Sequence, residues 1–196
     1  MTEKEHNRRI TDLGTLKALA HPLRMRLYRG LTVARVATAS QLAEQVDEAV
    51  SLVSYHLRKL AEHGLIEEAE PRSGDGRERW WQPASDGVTI RDEDFRDAPE
   101  KAAVHTAASR LFFDQRADMY RRFLDERTTW PPAWAAAQES SESTLRLTPD
   151  ELAELVAEMR DLMRRYEERA RAAEAAGDSA GRENVAVHTN AFPFRL

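Results

Sequence analysis

The 196-residue chain contains no cysteine. Disulfide scaffolds, thiolate zinc sites, iron–sulfur clusters and cysteine nucleophiles are thereby excluded. No run approaches the ~18 consecutive apolar residues of a membrane-spanning helix. The opening segment MTEKEHNRRI lacks the apolar stretch of a signal peptide, so a soluble, cytoplasmic protein is expected. Aromatic residues are sparse at 7%, and lysine is rarer still: of 29 basic residues only Lys4, Lys17, Lys59 and Lys101 are not arginine. The sequence also lacks a Walker loop, a GxGxxG after a strand, GxSxG and HExxH. The six histidines (His6, His21, His56, His63, His105, His188) form no close pair at metal-ligand spacing. Carboxylate pairs such as Glu167-Glu168 sit among arginines, as on a solvated, ion-paired helix face. No enzymatic activity, cofactor or metal is expected.

What is present is a globular composition, 41% hydrophobic, with a 32% charged fraction that exceeds the ~25% of an average soluble chain. Long surface helices would absorb those charges. The length suits two small domains of about 100 residues each. The net charge of −5 is unevenly placed: residues 1–84 carry 13 Lys/Arg against 12 Asp/Glu, and residues 85–196 carry 16 against 22. The acidity therefore belongs to the second half. A polar, acidic, proline-bounded stretch, PASDGVTIRDEDFRDAP at 83–99, has no helical periodicity and marks a boundary. The expected division is 1–84, a linker at 85–97, and 98–196.

In the first half Leu13, Leu16, Leu19 and Ala20 recur at helical spacing until His21-Pro22, where Pro22 suits the first position of a new helix. That helix, PLRMRLYRGL, aligns Leu23, Leu27 and Leu31. Thr38-Ala39-Ser40-Gln41 has the spacing of a capping box ahead of a third helix. Asp47 is expected to cap a fourth, over 49–63. There Val50, Val53, Leu57, Leu60 and Ala61 fall on a core face, while Ser51, Ser54, Tyr55, Arg58 and Lys59 spread over the rest. Leu65–Ala69 and Glu78–Gln82 then read as two strands across the glycine-containing turn Ser73–Gly76, which Arg72 and Arg77 flank. Trp80 and Trp81, adjacent on a strand, should point to opposite faces, one into the core and the other toward the linker or the second domain.

Helix, turn, second helix with a polar outer face, then a basic-tipped hairpin is the layout of a winged helix-turn-helix. Residues 16–82 resemble the ArsR-like winged-helix repressors: LKALAHPLRMRLYRGL is similar to their first helical hairpin, SLVSYHLRKLAEHGLIE to their recognition helix and first wing strand, and GRERWW to the second wing strand. The resemblance covers about a third of the chain and implies a dimer that binds an operator and answers to an effector. Two departures stand out. The family's metal sensors commonly use cysteine pairs, absent here, and the helix-start position that often holds Ser is Ala49, which leaves Asp47 or water to cap.

Physical chemistry gives the same surface independently. A major groove about 12 Å wide admits one helix, whose outer face must offer hydrogen-bonding groups to base edges and cations to phosphates. Ser51, Ser54 and Tyr55 suit the first task, Arg58 and Lys59 the second, and Arg72, Arg77 and Arg79 of the wing add phosphate contacts. His56 lies beside the core stripe and reads as a structural histidine.

In the second half, Val104, Ala108, Leu111, Phe112, Met119, Tyr120 and Phe123 keep helical spacing over about 98–127. The stripe Val104, Ala108, Leu111, Phe112, Met119, Phe123 is longer than one small domain covers and is the expected dimer contact. After Thr148-Pro149, Leu152, Val156, Met159, Met163, Tyr166, Ala170 and Ala173 step by four and three residues, with Leu155 and Leu162 widening the stripe. Short strands are expected at Thr144–Leu147 and Val185–Phe194. Trp130, Trp134 and Tyr166 are the candidates to line an effector pocket, for a small organic molecule.

The expected fold class is mainly α with small β: an N-terminal winged helix-turn-helix domain and a C-terminal α+β domain with a long dimerisation helix. The expected function is a sequence-specific DNA-binding transcriptional regulator, a repressor, bound as a homodimer to a pseudo-palindromic operator in double-stranded DNA. The near-neutral first half keeps a rival open, a protein-interaction winged helix without DNA binding. A metal-regulated sensor built on His and carboxylates is the less favoured third alternative.

Overall fold

A computed structural model describes residues 7–71 and 78–195. The chain is mainly helical with small sheets and divides into two compact units, Met1–Asp125 and Glu126–Leu196.

In the first unit, β1 (Arg8–Ile10) leads into α1 (Leu13–Ala20), which Asp12 caps by accepting a 2.8 Å hydrogen bond from the Thr15 amide. α2 (Pro22–Ala34) starts at Pro22, where the missing N–H costs nothing. After β2 (Ala37–Thr38), the expected capping box is formed. Thr38 Oγ1 accepts from the Gln41 amide at 3.3 Å, the Gln41 side chain accepts from the Thr38 amide at 2.9 Å, and α3 (Ala39–Val46) follows. α4 spans Val50–Glu62.

The expected cap on α4 is corrected. Asp47 adopts φ 53° in the left-handed region and closes α3, while Ala49 occupies the N-cap of α4 with no side-chain hydrogen bond. A short Asx side chain tolerates the left-handed turn that a tight helix-to-helix connection requires, and that use takes precedence.

The sheet is three-stranded and antiparallel in the order β2-β4-β3, with β3 at Ile66–Ala69 and β4 at Trp80–Pro83. Its register sets Ala37 opposite Trp81 and Glu68 opposite Trp81 from the other side. Trp80 and Trp81 are both buried and lie on opposite faces of the central strand, as their adjacency requires: Trp81 joins the core and Trp80 is sheltered on the other face. The turn between β3 and β4, with Arg72 and Arg77, lies outside the described residues.

β5 (Val88–Ile90) pairs in parallel with β1. Arg9 fastens this clasp by donating to Asp94 Oδ2 at 2.8 Å and Glu93 Oε1 at 2.7 Å. Phe95 is fully buried and stacks on His105 with ring centroids 5.3 Å apart. α5 (Pro99–Glu126) then runs 28 residues. Ala108 and Phe112 are buried in the core of this unit, and Val104 packs against it.

The second unit contains α6 (Pro132–Ala137) and α7 (Pro149–Ala175). α7 opens on a capping box between Thr148 and Glu151 and buries none of its side chains. The short strands expected at 144–147 and 185–194 do not form. Their apolar residues, among them Leu145, Val185 and Phe192, stand exposed, and a single extended segment without a ladder partner gains nothing from β geometry. Among the described residues no helix is long and apolar enough to cross a membrane.

Thr38→Ala should cost about 1 kcal/mol of unfolding free energy, and Thr38→Ser should retain most of it. A lowered urea midpoint at unchanged slope is the readout; equal midpoints would refute the role of the box.

Candidate nucleic-acid interface

α4 is positioned from beneath. Val53, Leu57 and Leu60 are fully buried, and His56 is buried with them. With this face turned inward at 100° per residue, Ser51, Tyr55 and Arg58 point outward, Ser54 lies at one edge and Lys59 at the other. The C-terminal end of α4 is held by Arg8, whose guanidinium donates to the His63 carbonyl at 2.7 Å, and Gly64 turns away at φ 61°. Arg26 ties α2 to the end of α3 through a 2.8 Å bond to the Val46 carbonyl.

Val50, expected on the core face, is corrected to the surface at 46% exposure. It lines an open groove with Thr38, Ala39, Ser40, Ser54, Arg58, Glu78, Arg79 and Trp81. The groove thus runs between the start of α3, the start of α4 and β4. Ser40 and Val50 are two members that the sequence reading missed. The exposed second position of α3 pointed to the first; the second was hidden because a valine at helical spacing from Val53 and Leu57 resembles core.

The cations of the surface are partly engaged. Lys59 Nζ bonds Glu62 at 2.7 Å, which raises its ammonium pKa, and stands 5.9 Å from the Tyr55 ring. Arg79 pairs with Glu68 at 2.6 Å and lies 5.6 Å from the Trp81 ring. Among the described residues Arg58 has no carboxylate partner. The Lys59 and Arg79 ion pairs are solvent-exposed and worth little in themselves, so a phosphate can displace either carboxylate at small cost.

Of the remaining candidates, Leu111 is exposed and Met119 and Phe123 are half-buried on α5, whereas Ala108 and Phe112 are taken up by the unit's own core. Trp130 and Trp134 are half-buried in the second unit, and Tyr166 is exposed on α7 with the Arg169 guanidinium 4.0 Å from its ring.

Directly beneath the outer face, the His21 and His56 rings approach to 4.6 Å, and Tyr55 meets His56 edge-on at 5.1 Å. Both Nδ1 atoms are buried without a hydrogen-bond partner among the described residues. Burial holds both imidazoles below the ordinary histidine pKa. Arg24 lowers each further, His21 adds to the effect on His56, and Glu48 opposes it.

Both histidines therefore resist protonation in the fold more than in the unfolded chain, which protonates them near pH 6.5. Their contribution is complete above that pH and is lost as pH falls toward the depressed folded values. Unfolding free energy should drop between pH 7 and 5.5, above the range of the carboxylates, and His56→Leu should flatten that slope. An unchanged slope in the variant would show that His56 stays uncoupled from stability.

Residues 19–69 match the family described as "Helix-turn-helix domain". Similar solved structures include one described as a "Possible transcriptional regulator for arsenical resistance", at 26% identity over 57% of this chain and 94% of that one, TM-score 0.31. An ArsR family transcriptional regulator is 22% identical over 55% of this chain and 88% of that one, TM-score 0.30. The M. tuberculosis protein Rv0081 is 22% identical over 54% and 89%, TM-score 0.32. No curated protein matches the chain.

Proposed function

We propose that this chain is a homodimeric, sequence-specific transcriptional repressor, a reading supported by the match of residues 19–69 to the helix-turn-helix family and by the small antiparallel sheet that β4 completes after them. It binds a pseudo-palindromic operator in double-stranded DNA. One observation carries the reading: α4 turns Val53, Leu57 and Leu60 fully inward and leaves Ser51, Tyr55 and Arg58 exposed among the described residues.

Ser51, Ser54 and Tyr55 read base edges in this assignment, and Val50 offers an apolar contact of the kind a thymine methyl takes. Arg58, Lys59 and Arg79, with Arg72 and Arg77 of the wing, neutralise phosphates. In this assignment residues 1–84 hold the DNA contacts, 85–97 continue the first unit through β5 and Phe95, and 98–196 serve assembly and response. An organic effector is assigned to the half-buried Trp130 and Trp134, with the exposed Tyr166 left out of that site, and is tested by tryptophan fluorescence in a metabolite screen followed by operator release.

A polarisation assay with DNA flanking the protein's own gene tests the reading. At about three or four phosphates per protomer, the dimer should show a log–log salt slope of roughly −5 to −7. Arg58→Ala should weaken all sequences alike, and Tyr55→Ala should change which sequence is preferred. A flat salt dependence with no sequence preference would favour a protein-binding role for the same surface.

Two-fold operators mirror two-fold proteins, which calls for a dimer contact. Within the stripe Val104, Ala108, Leu111, Phe112, Met119 and Phe123, two members are already used inside the unit. The opposite face of α5 carries Phe113, Tyr120 and Leu124, all exposed and spaced by seven and four residues. Phe113→Glu should shift the chain from dimer to monomer at micromolar concentration in sedimentation velocity and lower operator affinity. A dimer undisturbed by that substitution would return the contact to the Leu111–Phe123 side.

A further inference from the structure

We propose that α7 pairs antiparallel with α7 of a second copy of this chain, about a two-fold axis near Arg164 and Arg165. The proposal rests on the homodimer reading and assigns it a second contact. α7 presents Val156, Met159, Met163, Tyr166, Ala170 and Ala173 at alternating three- and four-residue steps; Tyr166 and Ala170 are exposed, Val156, Met159, Met163 and Ala173 are half-buried, and none is buried outright. Such a seam is what helix pairing uses.

Two features choose the occupant and its direction. The first is charge. From Pro149 to Leu162 the helix carries five carboxylates (Asp150, Glu151, Glu154, Glu158, Asp161) against Arg160 alone; from Met163 to Ala175 it carries four arginines (Arg164, Arg165, Arg169, Arg171) against three glutamates. A parallel pair would set the acidic halves side by side, whereas an antiparallel pair sets each against the arginine-containing half. Beside the seam, Arg160 then faces the partner's Glu167, and the symmetry repeats the pair. Among the described residues neither has an ion-pair partner within its own helix, whereas Arg164 is engaged by Asp161 and Glu168 at 3.1 and 3.4 Å.

The second feature is size. The antiparallel register places Val156 on the partner's Ala173, Met159 on the partner's Ala170, and Met163 on the partner's Tyr166. Each outer layer thus joins a larger side chain to an alanine, and the helices stay evenly spaced. A parallel pair would stack Met on Met at one end and Ala on Ala at the other. Helix dipoles also favour the antiparallel arrangement.

The absence of cysteine makes the test clean. Val156→Cys and Ala173→Cys full-length chains are co-expressed, and each is also prepared alone, then mildly oxidised. The mixture should give a disulfide-linked dimer between positions 156 and 173, and neither variant alone should cross-link. Equivalent positions in the antiparallel pair lie roughly 25 Å apart along the axis, far beyond the ~7 Å Cα limit of a disulfide. As a second arm, Arg160→Glu should raise the dimer dissociation constant about tenfold, and Arg160→Glu with Glu167→Arg should restore it. Cross-linking of either variant alone overturns the antiparallel register. A sedimenting dimer with no mixed cross-link overturns the α7 contact and leaves the homodimer standing; a monomeric wild-type chain overturns both.

Discussion

Burial of one face of α4 is the constraint on which the first unit depends. Val53, Leu57 and Leu60 lose all solvent contact against the helices beneath, and full burial of each such side chain contributes roughly 1.5–3 kcal/mol. Because the helix turns by 100° per residue, fixing those three also fixes the direction of every residue between them. Ser51, Tyr55 and Arg58 need no interaction of their own to be presented. The groove formed with Ser40, Arg79 and Trp81 follows from the same constraint, since β4 is registered against β2 at the start of α3.

Much of this arrangement was legible because it is local. The Thr38–Gln41 box, Pro22 at a helix start and the stripe of α4 are each decided within one or two turns of chain, where periodicity and capping chemistry act directly. What was not legible depends on distant partners. Val50 sits at a spacing that suits the core, yet among the described residues it stays 46% exposed at the rim of the groove. Asp47 had two uses open to it, and the αL turn that joins α3 to α4 took precedence. The pairing of β1 with β5 joins residues some eighty positions apart through two three-residue strands, too short to show a period. The same limit explains the misread strands at 144–147 and 185–194: an apolar, extended-looking run becomes a strand only where an edge is present to receive it.

α5 shows how one helix divides its surface. Ala108 and Phe112 were read in the sequence as part of a single long stripe for assembly, yet they serve the unit's own core, and the face carrying Phe113, Tyr120 and Leu124 is left exposed. A hydrophobic stripe reports that something covers it; whether the cover is the same chain or another depends on which elements lie within reach.

The electrostatics of the first unit connect to its proposed role through a difference rather than a sum. Residues 1–84 carry a net charge of only +1, and Lys59 and Arg79 are held by Glu62 and Glu68. Non-specific DNA affinity comes from cations facing phosphates and the counterions they release. A surface on which Lys59 and Arg79 are already partnered offers less of that attraction at long range, with Arg58 left to supply it among the described cations. Exposed ion pairs are weak, however, and a phosphate held in register by base contacts can replace the carboxylate at close range. The charge gain is then conditional on docking, and docking is conditional on sequence. In the proposed role, such a surface would give up absolute affinity and favour the ratio of specific to non-specific binding, the quantity that decides occupancy among a genome's competing sites.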